Sequence, residues 1–123
     1  MPIKITYFVH GTTTDNEKGL ATGWADGELS ALGQQQSTEL KKIVADKKFD
    51  AIFSSDLKRA AESAKIVFGD QYQIIQDQRL REANYGDLNQ KPDDFKNRLN
   101  QYIDKPFPNG ESYLDVEQRL KNF

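Results

Sequence analysis

Apolar and polar side chains alternate over "IKITYFV", residues 3–9, with Ile3, Ile5, Tyr7 and Val9 on one face. A period of two in β-branched and aromatic residues predicts a strand. The alternation stops at His10-Gly11, and residues 10–29, rich in Gly, Thr, Asp and Asn, read as a loop. From Ser30, an N-cap residue type, a helix is predicted to about Lys47 on a thin stripe of Leu32, Leu40, Ile43 and Val44. "FDAIFSS", residues 49–55, reads as a short apolar strand. "SDLKRAAESAKIVFG" follows it as a helix capped by Ser55 and stopped by Gly69, with Leu57, Ala60, Ala61, Ala64, Val67 and Phe68 at helical spacing. "YQII", residues 72–75, is predicted to be a third strand, and "RLREANYGDLNQKPDD" an irregular charged stretch. Residues 93–103 read as helical, "KPFPNGES" as irregular, and Tyr113, Val116, Leu120 and Phe123 as one face of a final helix.

Strands separated by a helix need a crossover connection, which makes them parallel neighbours and the fold class α/β. In open sheets of this kind ligands bind beyond the carboxyl ends of the strands. His10 follows the first strand, Arg59 lies in the first helical turn after the second, and Glu82 follows the third, so one rim is expected to collect them.

Composition narrows what that rim can do. The 123 residues contain no cysteine and one histidine, which excludes thiolate chemistry, disulfides and a histidine-rich metal site. A chain of this length forms one domain, residues 1–123, and buries roughly two thirds of its unfolded surface. Seventeen basic against nineteen acidic side chains leave a net charge of −2, with no global positive field for nucleic acid or an anionic membrane. The mean hydropathy of −0.78 fits a polar globular chain. No apolar run is long enough for a membrane span or a signal peptide, so cytoplasmic localisation is expected.

An arginine at a helix N-terminus offers a planar fork of donors beside the positive end of the helix dipole, a combination suited to phosphate. A neutral imidazole nitrogen next to a bound phosphoryl group can attack phosphorus and form a phosphohistidine. A carboxyl such as Glu82 can protonate the departing oxygen, and a carbonyl such as that of Gly11 can hold the other ring nitrogen. No metal or cofactor is needed. Each residue also has a plainer reading: a lone histidine at a strand end is more often structural, "HGTTTDN" is turn-forming, and Arg59 sits on an alanine-rich helix where it could be solvated.

The blocks "HGTTTDN", "GWADGELSALGQQQ", "FDAIFSSDLKRAAESA", "LREANYGDLN" and "FPNGESYLDVEQRL" resemble, in order and spacing, the successive motifs of the histidine phosphatase superfamily, the phosphoglycerate mutase-like proteins. The resemblance implies a three-layer α/β/α fold with a mainly parallel sheet. It implies His10 as nucleophile, Glu82 as proton donor, Arg59, Asn16 and Thr13 around the phosphoryl group, and Gly23 where the family loop passes near substrate. The implied partner is a small phosphorylated substrate.

Two departures qualify it. The family motif begins Arg-His-Gly, whereas Val9 precedes His10, by substitution or by deletion of a residue after "YFV". The family also carries a second histidine in the phosphate pocket on a later strand, so this chain resembles the first part of such a domain. Two missing donors at roughly 1.5–3 kcal/mol each predict weak activity or none for the chain as written. An edge left beside the first strand predicts self-association. Only residues 83–108 separate Glu82 from the "NGES" block, too few for the insertion of mutase-type members, which favours a phosphatase. The alternatives are a non-catalytic, phosphatase-like binding or assembly module and a mutase-type phosphotransferase.

Overall fold

A computed structural model describes residues 2–123. Two short ladders replace a single continuous sheet. β2 (Ile52–Ser54) pairs in parallel with β3 (Ile74–Gln76), in the register Ile52↔Ile74 to Ser54↔Gln76. The helix α3 (Lys58–Phe68) makes the crossover between them, as the parallel arrangement requires. β1 (Leu20–Ala21) pairs antiparallel with β4 (Lys91–Pro92). The architecture is α/β.

Residues 3–9 correct the expectation of a first strand. They join no ladder, and Ile3, Ile5, Tyr7 and Val9 are 72–87% exposed. A strand exists only through hydrogen bonds to a neighbour, and β2 pairs on the side facing β3 alone. Phe8 is the anchor of this segment. Its ring meets Phe49 and Phe68 at centroid distances of 6.1 and 5.5 Å.

Residues 10–29 are more ordered than a plain loop. Thr13 caps the short helix α1 (Thr14–Glu17) by a reciprocal box in which its hydroxyl accepts from the Asn16 amide while the Asn16 side chain accepts from the Thr13 amide. α2 runs over Ala31–Ile43 with Ser30 as its N-cap, its hydroxyl accepting from the Gly33 amide. The apolar stripe expected on α2 is partly wrong, because Leu32 and Ile43 are exposed. Gly33 and Ser37 are buried instead; α2 packs beside α3, and at Gly33 it lies against the Thr12 backbone. On α3 the N-cap is Leu57, without a side-chain hydrogen bond. Ser55 therefore does not cap it; that hydroxyl accepts a long 3.4 Å bond from the Leu57 amide one turn early.

The charged stretch after β3 contains 3₁₀ turns at Gln78–Leu80 and Gly86–Leu88 as well as β4. A 3₁₀ segment at Asp93–Tyr102, kinked at Arg98, occupies the place of the expected helix. α4 covers Tyr113–Lys121 and is capped by Ser112 with Asp115 in a second reciprocal box.

Burial divides into two clusters. Val44, Ile52, Val67 and Phe68 form one, between α2, α3 and β2. Ala21, Ala83, Tyr85, Phe95 and Phe107 form the other, where Tyr85, Phe95 and Phe107 make edge-on aromatic contacts of 5.1–5.8 Å. Arg59 bridges the two: it rises from α3 and donates to Gly23 O, beside Tyr85 and Asn89.

Candidate active site

His10 is half-buried, and its Nδ1 lies 2.6 Å from its neighbour's carbonyl, Gly11 O. A carbonyl only accepts, so this contact places the ring proton on Nδ1 and leaves the Nε2 lone pair available. The turn that aims the ring is held from two sides. The Gly11 amide donates to Ser63 Oγ on α3 at 3.0 Å, and the Ser30 amide and hydroxyl donate to Thr12 O. The backbones of Gly11 and Gly33 are in direct contact: a Cβ on Gly11 would stand 2.4 Å from Gly33 O, and one on Gly33 2.0 Å from Thr12 O.

Arg59 is 5% exposed, in the first turn of α3. Its Nη2 donates to Gly23 O at 2.9 Å, while Nη1 is buried with no partner among the described residues. Buried guanidinium nitrogens are rarely left so. Burial lowers the Arg59 pKa, opposed by the charge of Glu82. Burial also lowers that of His10, partly offset by the Gly11 carbonyl; Arg59 and Lys96 push the same way as burial, and Glu82 the opposite way. The charges of Arg59, Glu82 and Lys96 all act on the His10 ring. No pattern in the sequence marked Lys96; it is brought in because Phe95 beside it packs on Tyr85, leaving the Lys96 ammonium 6.0 Å from the Tyr85 ring.

Glu82 is exposed, with Oε1 accepting from the Ala83 amide at 2.8 Å. Its carbonyl accepts from Trp24 Nε1 at 2.7 Å and from Arg119 Nη2 at 2.9 Å. Asn16 is exposed, its Oδ1 committed to the α1 cap and its Nδ2 without a protein acceptor among the described residues. Thr13 is 0% exposed, and its hydroxyl accepts from the Asn16 amide. Gly23 has φ +58°, and a Cβ there would stand 1.8 Å from Asn89 Oδ1, so only glycine fits and its carbonyl reaches Arg59. Val9, before His10, supplies no cation to this rim. Among the described residues no group of three or more His, Cys, Asp or Glu side chains gathers to hold a metal. No helix there is long and apolar enough to cross a membrane.

Titration of His10 provides a direct check on this electrostatic arrangement. The only histidine of the chain gives a single Hε1 resonance, and its pKa is expected below 6.5. Lys96→Met should raise it and Glu82→Gln lower it further, both read by proton NMR. Because the folded form binds fewer protons than the unfolded one, His10 contributes stability above its unfolded pKa that is lost as pH falls through its folded one.

On this α/β scaffold His10 holds its ring proton on Nδ1, Arg59 is buried and the Glu82 carboxyl is exposed. The profile of the histidine phosphatase superfamily (branch 1) matches residues 7–123, and the chain belongs to that family. It is 36% identical over 126 residues to a 2,3-bisphosphoglycerate-dependent phosphoglycerate mutase of Rhizobium rhizogenes, covering 90% of this chain and 60% of the relative. It is 38% identical over 94 residues to phosphoglycerate mutase 1 of Saccharomyces cerevisiae, covering 72% of this chain and 38% of the relative. Among solved structures, a mycobacterial glucosyl-3-phosphoglycerate phosphatase in complex with VO3 superposes with TM-score 0.79 at 30% identity, over 92% of this chain and 61% of the other. The alpha-ribazole phosphatase of Shigella flexneri gives 0.78 at 29%, over 93% and 61%. The chain thus spans about 60% of the length of several relatives it matches.

Proposed function

We propose that the chain accepts a phosphoryl group from a small phosphomonoester on His10 and passes it to water. The observation that carries this reading is the pairing of a half-buried imidazole, tied at Nδ1 to Gly11 O, with a buried Arg59 whose Nη1 has no partner among the described residues. In the reaction, His10 Nε2 attacks phosphorus as the ester P–O bond breaks, and the carboxyl of Glu82 gives its proton to the departing alcohol oxygen. Water then attacks the phosphohistidine and leaves its second proton on the Glu82 carboxylate, releasing inorganic phosphate and a neutral imidazole. Arg59 Nη1 holds the phosphoryl oxygens, Asn16 Nδ2 adds a neutral donor, and Gly23 acts through its carbonyl by aiming the guanidinium. The scheme uses no cofactor and is placed in the cytoplasm, where a cysteine-free chain is at home.

Hydrolysis is favoured over mutase-type transfer because only residues 83–108 lie between Glu82 and Asn109, and most of them form 3₁₀ segments and β4. Val9 favours a second reading, a phosphatase-like module that binds phosphate without reacting. One experiment separates them: incubation with glycerol phosphate followed by assay for acid-labile phosphate on the protein. The expected result is a phosphohistidine that is lost in His10→Ala. Binding of phosphate without any covalent adduct would overturn the enzymatic reading in favour of the module, and transfer to a second alcohol instead of water would favour the mutase.

A further inference from the structure

The block "FPNGESYLDVEQRL" lies outside the reaction scheme, yet two of its side chains hold the segment that carries Glu82. Arg119, on α4, donates from Nε and Nη2 to the two carboxylate oxygens of Glu111 at 2.8 and 3.1 Å. Both side chains are mostly buried, 16% and 17% exposed. The same guanidinium donates to Arg79 O at 2.7 Å and to Glu82 O at 2.9 Å. Glu111 completes the grip, its Oε1 accepting from the Asn84 amide and its own amide donating to Asn84 O, each at 2.9 Å. Trp24 Nε1 adds a second donor to Glu82 O. The backbone on both sides of Glu82 is therefore held, while its carboxyl stays exposed and takes one local bond, from the Ala83 amide.

The geometry points to Arg119, oriented by Glu111, as a positioning residue that sets the Glu82 carboxyl for proton delivery to the leaving group. The inference rests on the phosphohistidine reading above. A planar fork is needed because one group must reach a carboxylate and two carbonyls at once, which a lysine ammonium cannot do in a fixed geometry. A poorly aimed acid matters only when the leaving group needs a proton. An alkoxide leaving from glycerol phosphate needs one, whereas nitrophenolate leaving from para-nitrophenyl phosphate does not.

The test compares single-turnover phosphorylation of His10 by these two esters in the full chain and in Arg119→Lys and Glu111→Gln. The expected result is a fall of about 10²-fold with glycerol phosphate and a change of no more than a few-fold with para-nitrophenyl phosphate, the signature of a displaced general acid. Equal losses with both esters, or no loss with either, would overturn the inference. If the unmodified chain is phosphorylated by neither ester, the phosphohistidine reading fails, and the positioning claim is decided by NMR. The Ala83 amide resonance should respond to temperature as a hydrogen-bonded amide does in the unmodified chain and as an unbonded one in Arg119→Lys. An identical response in both would overturn it.

Discussion

Arg59→Met is expected to reduce the affinity for inorganic phosphate by roughly 10- to 10²-fold, the equivalent of one charge-assisted hydrogen bond at about 1.5–3 kcal/mol. Methionine preserves most of the buried volume, so α3 keeps its packing while the donor fork disappears. The penalty on His10 phosphorylation should be larger, about 10²–10³-fold, because a preorganised donor acts most strongly where charge redistributes in a site shielded from water. The two losses overlap and do not multiply. Arg59→Lys separates charge from geometry: an ammonium retains the charge but cannot hold Gly23 O and a phosphoryl oxygen in the plane the guanidinium defines. Calorimetric titration with phosphate checks the first figure and single-turnover labelling the second. Unchanged phosphate affinity in Arg59→Met would remove this residue from the site.

Gly33→Ala is expected to destabilise the fold by about 1–3 kcal/mol, opposite in sign to what helix propensity alone predicts. Gly33 lies in the first turn of α2, where alanine would favour the isolated helix by about 1 kcal/mol. In the folded chain its Cβ would stand 2.0 Å from Thr12 O and 2.9 Å from the Thr12 carbonyl carbon and nitrogen. These are backbone atoms of the turn that presents His10, and no side-chain rotation relieves them. Either α2 retreats from the turn or the turn moves. A melting temperature lower by about 4–15 °C is the expected readout by circular dichroism. The His10 ring resonance should move with it. A variant that melts higher would show that the Gly11–Gly33 contact does not constrain the turn.

How the site came to be legible depends on the kind of contact each residue makes. Arg59 and Glu82 follow β2 and β3, and a parallel pair joined by α3 carries the residues after each strand to one end, whereas His10 was expected there from a first strand that does not form. Gly11 was nominated as partner of the ring because its carbonyl is adjacent in the chain. Thr13 and Asn16 serve as a helix capping box, a role that the same spacing allows and that the pocket reading of Thr13 did not include. Glu111 and Arg119 stood inside a quoted motif, but nothing in their spacing says that they hold Glu82 O and Asn84 N. Lys96 left no mark at all, since its neighbours along the chain say nothing about the distance to Tyr85.

By itself the sequence determined α2, α3 and α4, the parallel crossover, the absence of thiol chemistry and the identity of the single imidazole. Those follow from periodicity, end-of-helix chemistry and composition, which act over a few residues or over none. Only the tertiary structure decided that residues 3–9 run without a strand partner, that α2 packs through Gly33 and Ser37, and that Arg59 keeps one nitrogen unspent. Each of these depends on which distant backbone or side chain arrives within hydrogen-bond or van der Waals range, and that is a property of the packed whole rather than of any local pattern.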